Sequence, residues 1–467
     1  MLQTEKQKTK KSASAVISYT YHDAIALLDK RWSVKQSTDA KKLLQLDAAL
    51  GSPSKSVRSV FVAGSNGKST TINLTSQLLR AEGLTVGSFY SPHFTTYNER
   101  IVCNNDSLSN ATFTQVANDV FNAAATLELE LHTKELLTMM AIHHFATQKV
   151  DVALLEVTQF DQFDPVSICT PLICAITRIT DYATDASDDV IRQRVEHVAR
   201  LMKKGSWIIS ADQSKLSLQI MEDLAEQKNA QWAMPIRKLA AMKYPYEQLF
   251  GRCAALAERI AQIFVQNIFD SKTSNSLLAK PKGNRGRPTL EAKRHAELNP
   301  QKTIEQFWQE TVSTLSHRFE LLEKAKPAVL LDTASNLDAF KNLLLGVRLL
   351  HYQRPFKGLV IVVGSENNAL HQAEFCKMLR YFFKKTAGQV VFCQPASDAQ
   401  STSNDGSWDV EQITNDVKNM KVKARSTKTL AQALDYAKKA VDETNGLVVI
   451  TGSRAIVSEY WNTKIKK

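Results

Sequence analysis

Two apolar patterns alternate along the chain. SVRSVFVA (56–63), LTVGSFY (84–90), VDVALLEV (150–157), PLICAITRI (171–179) and SWIISA (206–211) are short, nearly unbroken runs rich in β-branched residues, and they predict buried strands. Between them lie longer stretches with apolar residues three and four apart. YHDAIALLDKRW (21–32), DAKKLLQLDAAL (39–50), STTINLTSQLLRAEG (69–83), ATFTQVANDVFNAAATLELE (111–130) and KELLTMMAIHHFATQ (134–148) predict helices, as do 186–204, 215–228 and 247–268. The alternation resumes after residue 302. KPAVLLDTASNLDAFKNLLLGVRLL (326–350) reads as strand, loop and helix, and GLVIVVGS, QVVFCQPAS and GLVVITGS read as further strands. Strand alternating with helix predicts parallel sheets flanked by helices, an α/β fold in two units without a fixed-period repeat. The expected division is a flexible basic tail at 1–18, a first unit at 19–300 with a basic Pro/Gly-containing insertion at about 270–302, and a smaller second unit at 301–467.

Composition narrows the class. The 467 residues suffice for two or three domains, and 43% hydrophobic with 23% charged residues is ordinary for a soluble globular protein. No apolar run approaches the roughly 18 residues that span a bilayer. The N-terminus lacks the apolar core of a secretory signal, and Glu5 with an absence of Arg argues against a mitochondrial presequence. Six cysteines without C-x-x-C pairs or zinc-like His spacing point to a reducing, cytoplasmic setting. The net charge of +12 raises the question of nucleic acid. Much of the excess falls in the tail and in 272–302, where no aromatic residues are interleaved as a stacking platform requires. A solvated tail and loop are expected there, and anionic small molecules are the expected partners of a monomer.

The chemistry begins at VFVAGSNGKSTT (60–71). It ends like a phosphate-binding loop, but the position five before Gly67 is Val62 rather than glycine. A strand, a tight turn and a helix still gather backbone N–H groups and a helix N-terminus at one point, which attracts phosphate oxygens. Gly64 and Gly67 permit close backbone approach. Ser65 and Asn66 complete the turn, Lys68 reaches the terminal phosphates, and Ser69 or Thr70 offers a hydroxyl to phosphate or Mg²⁺. A nucleotide site is expected here. The His143–His144 pair reads as helix packing rather than a metal pair.

AGSNGKST, SPH (91–93), NERI (98–101), the strand ending at Glu156, HRFE (317–320), LLDTASNLDA (330–339) and GLVVITGS together resemble the folylpolyglutamate synthase/dihydrofolate synthase family of the Mur ligase superfamily. The resemblance spans about residues 20–460. It implies a P-loop central domain with a parallel sheet plus a smaller C-terminal α/β domain. It also implies an ATP- and Mg²⁺-dependent ligase that joins glutamate to a folate- or pteroate-type carboxylate through an acyl phosphate. By position it makes Lys68 and Glu156 catalytic and Ser91 and Glu156 metal ligands. It brings Arg318, Asp332 and Asn336 to the nucleotide and His93 to the substrate.

Five departures stand against the family pattern. The glycine-rich segment after the Glu reads TQFDQFDPVS and keeps only Asp164; Tyr182 stands where a metal-binding His is expected; His197 or Val198 falls on a lysine that is carbamylated in the family; Ser335 replaces the His of A-H-N-P, and ENNALH replaces a D-K-D loop. Asp181 or Asp185 is an alternative oxygen ligand. The sequence therefore leaves open a ligase with a changed acceptor, a nucleotide-binding relative without turnover, and, on charge alone, a nucleic-acid-associated ATPase.

Overall fold

The computed structural model describes residues 17–158, 163–180, 186–212, 214–269, 276–278, 302–311, 315–366, 370, 373–396 and 409–465. Two sheets organise it. The first contains β1 (Ser59–Ala63), β2 (Val86–Phe89), β3 (Ile101–Cys103), β4 (Asp106–Ser107), β5 (Val152–Glu156), β6 (Pro171–Ile176), β7 (Trp207–Ser210) and β8 (Gln231–Ala233), in the order β4-β3-β2-β5-β1-β6-β7-β8. The second contains β9 (Glu320–Leu322), β10 (Ala328–Leu331), β11 (Leu359–Val363), β12 (Gln389–Cys393), β13 (Ala424–Thr427) and β14 (Leu447–Thr451), in the order β13-β12-β11-β14-β10-β9.

Pairing is parallel except at one end of each sheet, where β2–β3, β3–β4 and β9–β10 run antiparallel. β1 lies between β5 and β6, with Val62 beside Glu156 and Ala175. Its residues are buried on both faces: Val60 and Val62 enter one apolar cluster, Phe61 and Ala63 the other. The second sheet is covered likewise, Leu330 and Ile361 on one side and Val329, Leu331 and Val360 on the other. Two covered faces explain why the central strands read as continuous apolar runs rather than alternating ones.

The chain carries the structure of the first sheet beyond the expected boundary. Helix Ile304–Glu310 was expected in the second unit, yet Phe307 and Trp308 pack into the first sheet's cluster. Trp308 is fully buried, and its Nε1 donates to Glu258, which also pairs with Arg237 at 2.9 Å. Helix Tyr246–Ile263 bridges the two units, because Tyr246 and Phe250 pack against clusters of both. Among the described residues no helix is long and apolar enough to cross a membrane.

Candidate functional site

The carboxyl ends of both sheets open on one cavity of about 410 Å³. In sheets of this kind ligands gather at the carboxyl ends of strands, where the strand order reverses. β1 sits at that reversal and delivers the 64–67 turn to helix Lys68–Ala81. Gly64 has φ +125°, and a Cβ there would lie 2.9 Å from the Arg178 backbone N and 2.8 Å from its O, closer than real Cβ atoms approach. The turn is pinned to the exit of β6: Ser65 N–H donates to Arg178 O at 2.6 Å, and Ser65 Oγ accepts from Thr180 N–H at 2.8 Å.

Ser65, Asn66, Gly67, Lys68, Ser69 and Thr70 line the cavity together with Ser91, Glu156, Arg318, Asp332 and Asn336. Lys68 Nζ folds over its own loop and donates to Gly64 O at 2.8 Å and Ser65 O at 3.3 Å. Glu156 is buried at the end of β5. Its Oε2 accepts from Ser69 Oγ at 2.9 Å and from Ser91 N–H at 3.3 Å. Burial raises its carboxyl pKa, against the opposing pull of Lys68, Arg318 and the Ser69 and Ser91 hydrogen bonds.

Arg318 enters from the second unit and lies close enough to both Glu156 and Asp332 to favour their ionised forms. Asp332, at the end of β10, accepts from Phe319 N–H and Ala334 N–H, both at 2.9 Å. Desolvation nevertheless pushes its pKa up to about 6. The residues flanking Arg318 are left-handed without being glycine: φ is +67° at His317 and +50° at Phe319. Such residues cost roughly 1–3 kcal/mol each and persist where the surroundings over-determine them. Here Phe319 is held by Asp332 and by its ring against Gly346.

The two units are clasped across the cavity. Asn66 and Asn336 exchange side-chain hydrogen bonds of 3.1 and 3.0 Å, and Asn66 also donates to Asp338 at 3.0 Å. Arg178 pairs with Asp338 at 2.6 Å. Asn336 Oδ1 additionally caps helix Leu337–Gln353 by accepting from Ala339 N–H. Arg178, Asp338 and Cys253 were not singled out in the sequence. Arg178 was within reach of the strand-end rule, since it follows β6 directly. Cys253, whose Sγ would crowd a Cβ at Gly67, lies on a helix whose periodicity says nothing of its proximity to the loop.

His93 gains no support as a substrate contact. It is buried, its Nδ1 accepts from Arg100 Nε at 2.9 Å, and its ring packs on Tyr97 at 4.1 Å. Arg100 is itself buried and also donates to Ser91 Oγ at 3.0 Å. Asp164 accepts from Thr158 N–H and Val166 N–H and so closes its own loop. Val198 is part of the apolar core, and His197 lies half-buried in the last turn of helix Asp188–Ala199. Ser335 is exposed at the cavity rim. Asp181, Tyr182 and Asp185, most of the ENNALH segment, the tail to residue 16 and nearly all of 270–302 lie outside the described residues. His143 pairs with Asp119 at 3.4 Å and His144 is buried, as packing residues are.

The donor set suits a hard cation. A buried carboxylate, the Ser69 hydroxyl bonded to it and the Ser91 hydroxyl that accepts from Arg100 supply oxygen only, and Mg²⁺ takes one or two carboxylates plus phosphate and water.

Residues 317–454 match the family described as Mur ligase, glutamate ligase domain. The chain is 30% identical over 215 residues to the dihydrofolate synthase/folylpolyglutamate synthase of Bacillus subtilis, covering 45% of this chain and 50% of that protein. It spans about half the length of the curated relatives it matches. The structure of Mycobacterium tuberculosis folylpolyglutamate synthase complexed with ADP superposes with a TM-score of 0.71 at 19% identity, over 96% of this chain and 98% of that one. A bifunctional folylpolyglutamate synthase/dihydrofolate synthase with Mn, AMPPNP and L-glutamate bound gives 0.69 at 20% identity, over 96% and 100%. These likenesses show the two-unit fold.

Proposed function

We propose that the chain is a member of the folylpolyglutamate synthase family of the Mur ligase superfamily and an ATP- and divalent-metal-dependent carboxylate–amine ligase. One observation carries the reading. Lys68, Ser69 and Glu156 from one sheet and Arg318 and Asp332 from the other face a single cavity. A carboxylate is a poor electrophile until one oxygen becomes a leaving group. The acid's oxygen attacks the γ-phosphorus and ADP leaves. The amine nitrogen then attacks the carbonyl carbon, the C–O bond to phosphate breaks, and the nitrogen loses a proton.

In this reading the 64–70 loop cradles the phosphates, and Lys68 and Arg318 oppose the charge of the two anions brought together. Glu156 with Ser69 and Ser91 would hold Mg²⁺, which supplies further charge neutralisation at the phosphate. Asp332 fixes the Arg318 segment and faces the nucleotide beside Asn336. The clasp between Asn66, Asn336, Asp338 and Arg178 closes the units around the reacting groups and limits water. Glutamate is the proposed amine and a folate- or pteroate-type acid the proposed acceptor, in keeping with the relatives' names. A cytoplasmic monomer fits this reading, and six free thiols suit a reducing compartment.

The test is phosphate release with mass detection of product from ATP, Mg²⁺, glutamate and dihydropteroate, omitting each in turn. Product one glutamyl unit heavier, dependent on all four, is expected. Val198 in the core and Ser335 at the rim favour a second reading, a relative that binds nucleotide without ligating. Nucleotide binding without product from any acid and amine would establish it instead.

A further inference from the structure

We infer that His317 is a positioning residue: it wedges between the first unit's Phe94 and the terminal helix's Trp461 and thereby seats Arg318 in the cavity. The inference rests on the ligase reading only for what Arg318 does there.

His317 is buried, and its backbone is left-handed at φ +67°. Glycine is the residue that adopts such a φ freely. An imidazole here is therefore held by its side chain. Trp461 Nε1–H, which can only donate, gives a 2.8 Å hydrogen bond to His317 Nδ1. Nδ1 is thus the acceptor, and it cannot also donate to Glu320 Oε2, 3.4 Å away. That carboxylate oxygen instead accepts from His317 N–H at 2.8 Å, fixing the backbone of the turn.

The other face of the ring meets the first unit. Phe94 lies in the loop that follows Ser91, yet its side chain packs into the second sheet's apolar cluster. Its centroid is 4.3 Å from that of His317, and Arg318 Cζ lies 5.5 Å from the same phenyl ring. Arg318 is consequently gripped at both neighbours: His317 through Trp461 and Phe94, Phe319 through Asp332 and Gly346. Phe94 belongs to the unit that carries the phosphate loop, and Trp461 to helix Arg454–Ile465 of the other. The wedge therefore ties the seat of Arg318 to the closed arrangement of the two units. His317 and Arg318 also line a second cavity of about 360 Å³, with Ser69, Phe94 and Trp461 in its wall. Displacing a charge by about 1 Å at a transferring phosphate is enough to cost orders of magnitude in rate.

The test is a double-mutant cycle between His317→Gly and Arg318→Ala, read as affinity for a non-hydrolysable ATP analogue and, on the ligase, as kcat and KM. Gly accommodates the left-handed φ, so the substitution removes the wedge and leaves the turn. His317→Gly should weaken analogue binding or kcat about tenfold in an otherwise intact protein. In the Arg318→Ala background the same change should alter either quantity by less than about twofold. His317→Asn, which tolerates positive φ and offers Oδ1 to the indole, should restore the wild-type value to within about threefold. Effects that multiply across the cycle, or a His317→Gly variant equal to wild type, would overturn the inference. If the Gly variant fails to fold, Trp461→Phe removes only the donor and takes its place in the cycle with the same criteria. A wild-type protein that makes no product while the analogue-binding cycle is non-additive would defeat the ligase reading and leave the wedge standing.

Discussion

Lys68, the proposed phosphate contact, lies at the start of helix Lys68–Ala81. Its Nζ makes two hydrogen bonds to loop carbonyls, neither of which holds a core together. Lys68→Ala should lower ATP turnover by roughly 10²–10³-fold, as loss of one charge-stabilising donor does. The thermal midpoint should stay within a few degrees; unchanged kcat in a phosphate-release assay would remove Lys68 from the mechanism. Asp332 is the opposite case. Its folded pKa is raised from 3.8 to about 6 by desolvation. A raised carboxyl pKa means the folded protein keeps a proton that the unfolded chain has lost. The contribution to stability is therefore fully present below 3.8 and disappears as pH rises through 6. Asp332→Asn abolishes this titration, so its stability relative to wild type should rise between pH 4 and pH 7 by up to about 3 kcal/mol. Urea unfolding at a series of pH values measures that difference, and a flat difference would contradict the burial argument.

At the scale of elements, helix Leu337–Gln353 carries a glycine, Gly346, where alanine would ordinarily favour helix. A Cβ at Gly346 would sit 2.7 Å from Phe319 Cζ and 2.9 Å from Leu249 Cδ2. Gly346→Ala should therefore destabilise the protein by about 1–3 kcal/mol despite its better propensity, the usual cost of overpacking. It should also lower kcat, because the displaced ring adjoins Arg318. A variant as stable and active as wild type would show that Phe319 has room to move. The elements themselves were largely legible. The strands at 59–63, 152–156, 171–176, 328–331, 359–363 and 447–451 fall inside the apolar runs that predicted them. The antiparallel edges β3, β4 and β9 were not predicted, since two- and three-residue strands have too few positions to show a period. Trp308's burial against the first unit is not legible in the sequence, because a seven-residue helix does not say which sheet it covers.

At the scale of the whole molecule, the cavity exists only because two sheets present their carboxyl ends to each other. Arg178, about a third exposed, and Asp338 form an ion pair across the seam, beside the reciprocal Asn66–Asn336 hydrogen bonds. Arg178→Ala leaves Asp338 without its cation and should loosen closure. kcat/KM for ATP should fall roughly tenfold, equivalent to about 1.4 kcal/mol. Small-angle scattering should show a larger radius of gyration without nucleotide and recovery when an ATP analogue is added. Equal radii for variant and wild type would mean that apolar packing of Phe250 and Phe94 holds the units by itself.

The α/β alternation and the strand–turn–helix at 59–81 were legible in the chain's own pattern, because strand runs, glycines in a turn and a lysine at a helix start are local signals, whereas Glu156 and Arg318 were brought to that turn only by the family resemblance. Distances between segments hundreds of residues apart are not local signals. Asn66 meets Asn336, Arg178 meets Asp338, and Trp461 meets His317 only once both sheets have folded and docked. Within the first unit, packing turned His93 inward onto Arg100 and placed Val198 in the apolar core. Which polar residues face a cavity and which are packed away is settled by burial of the apolar surfaces around them, a property of the assembled layers rather than of any one stretch of chain.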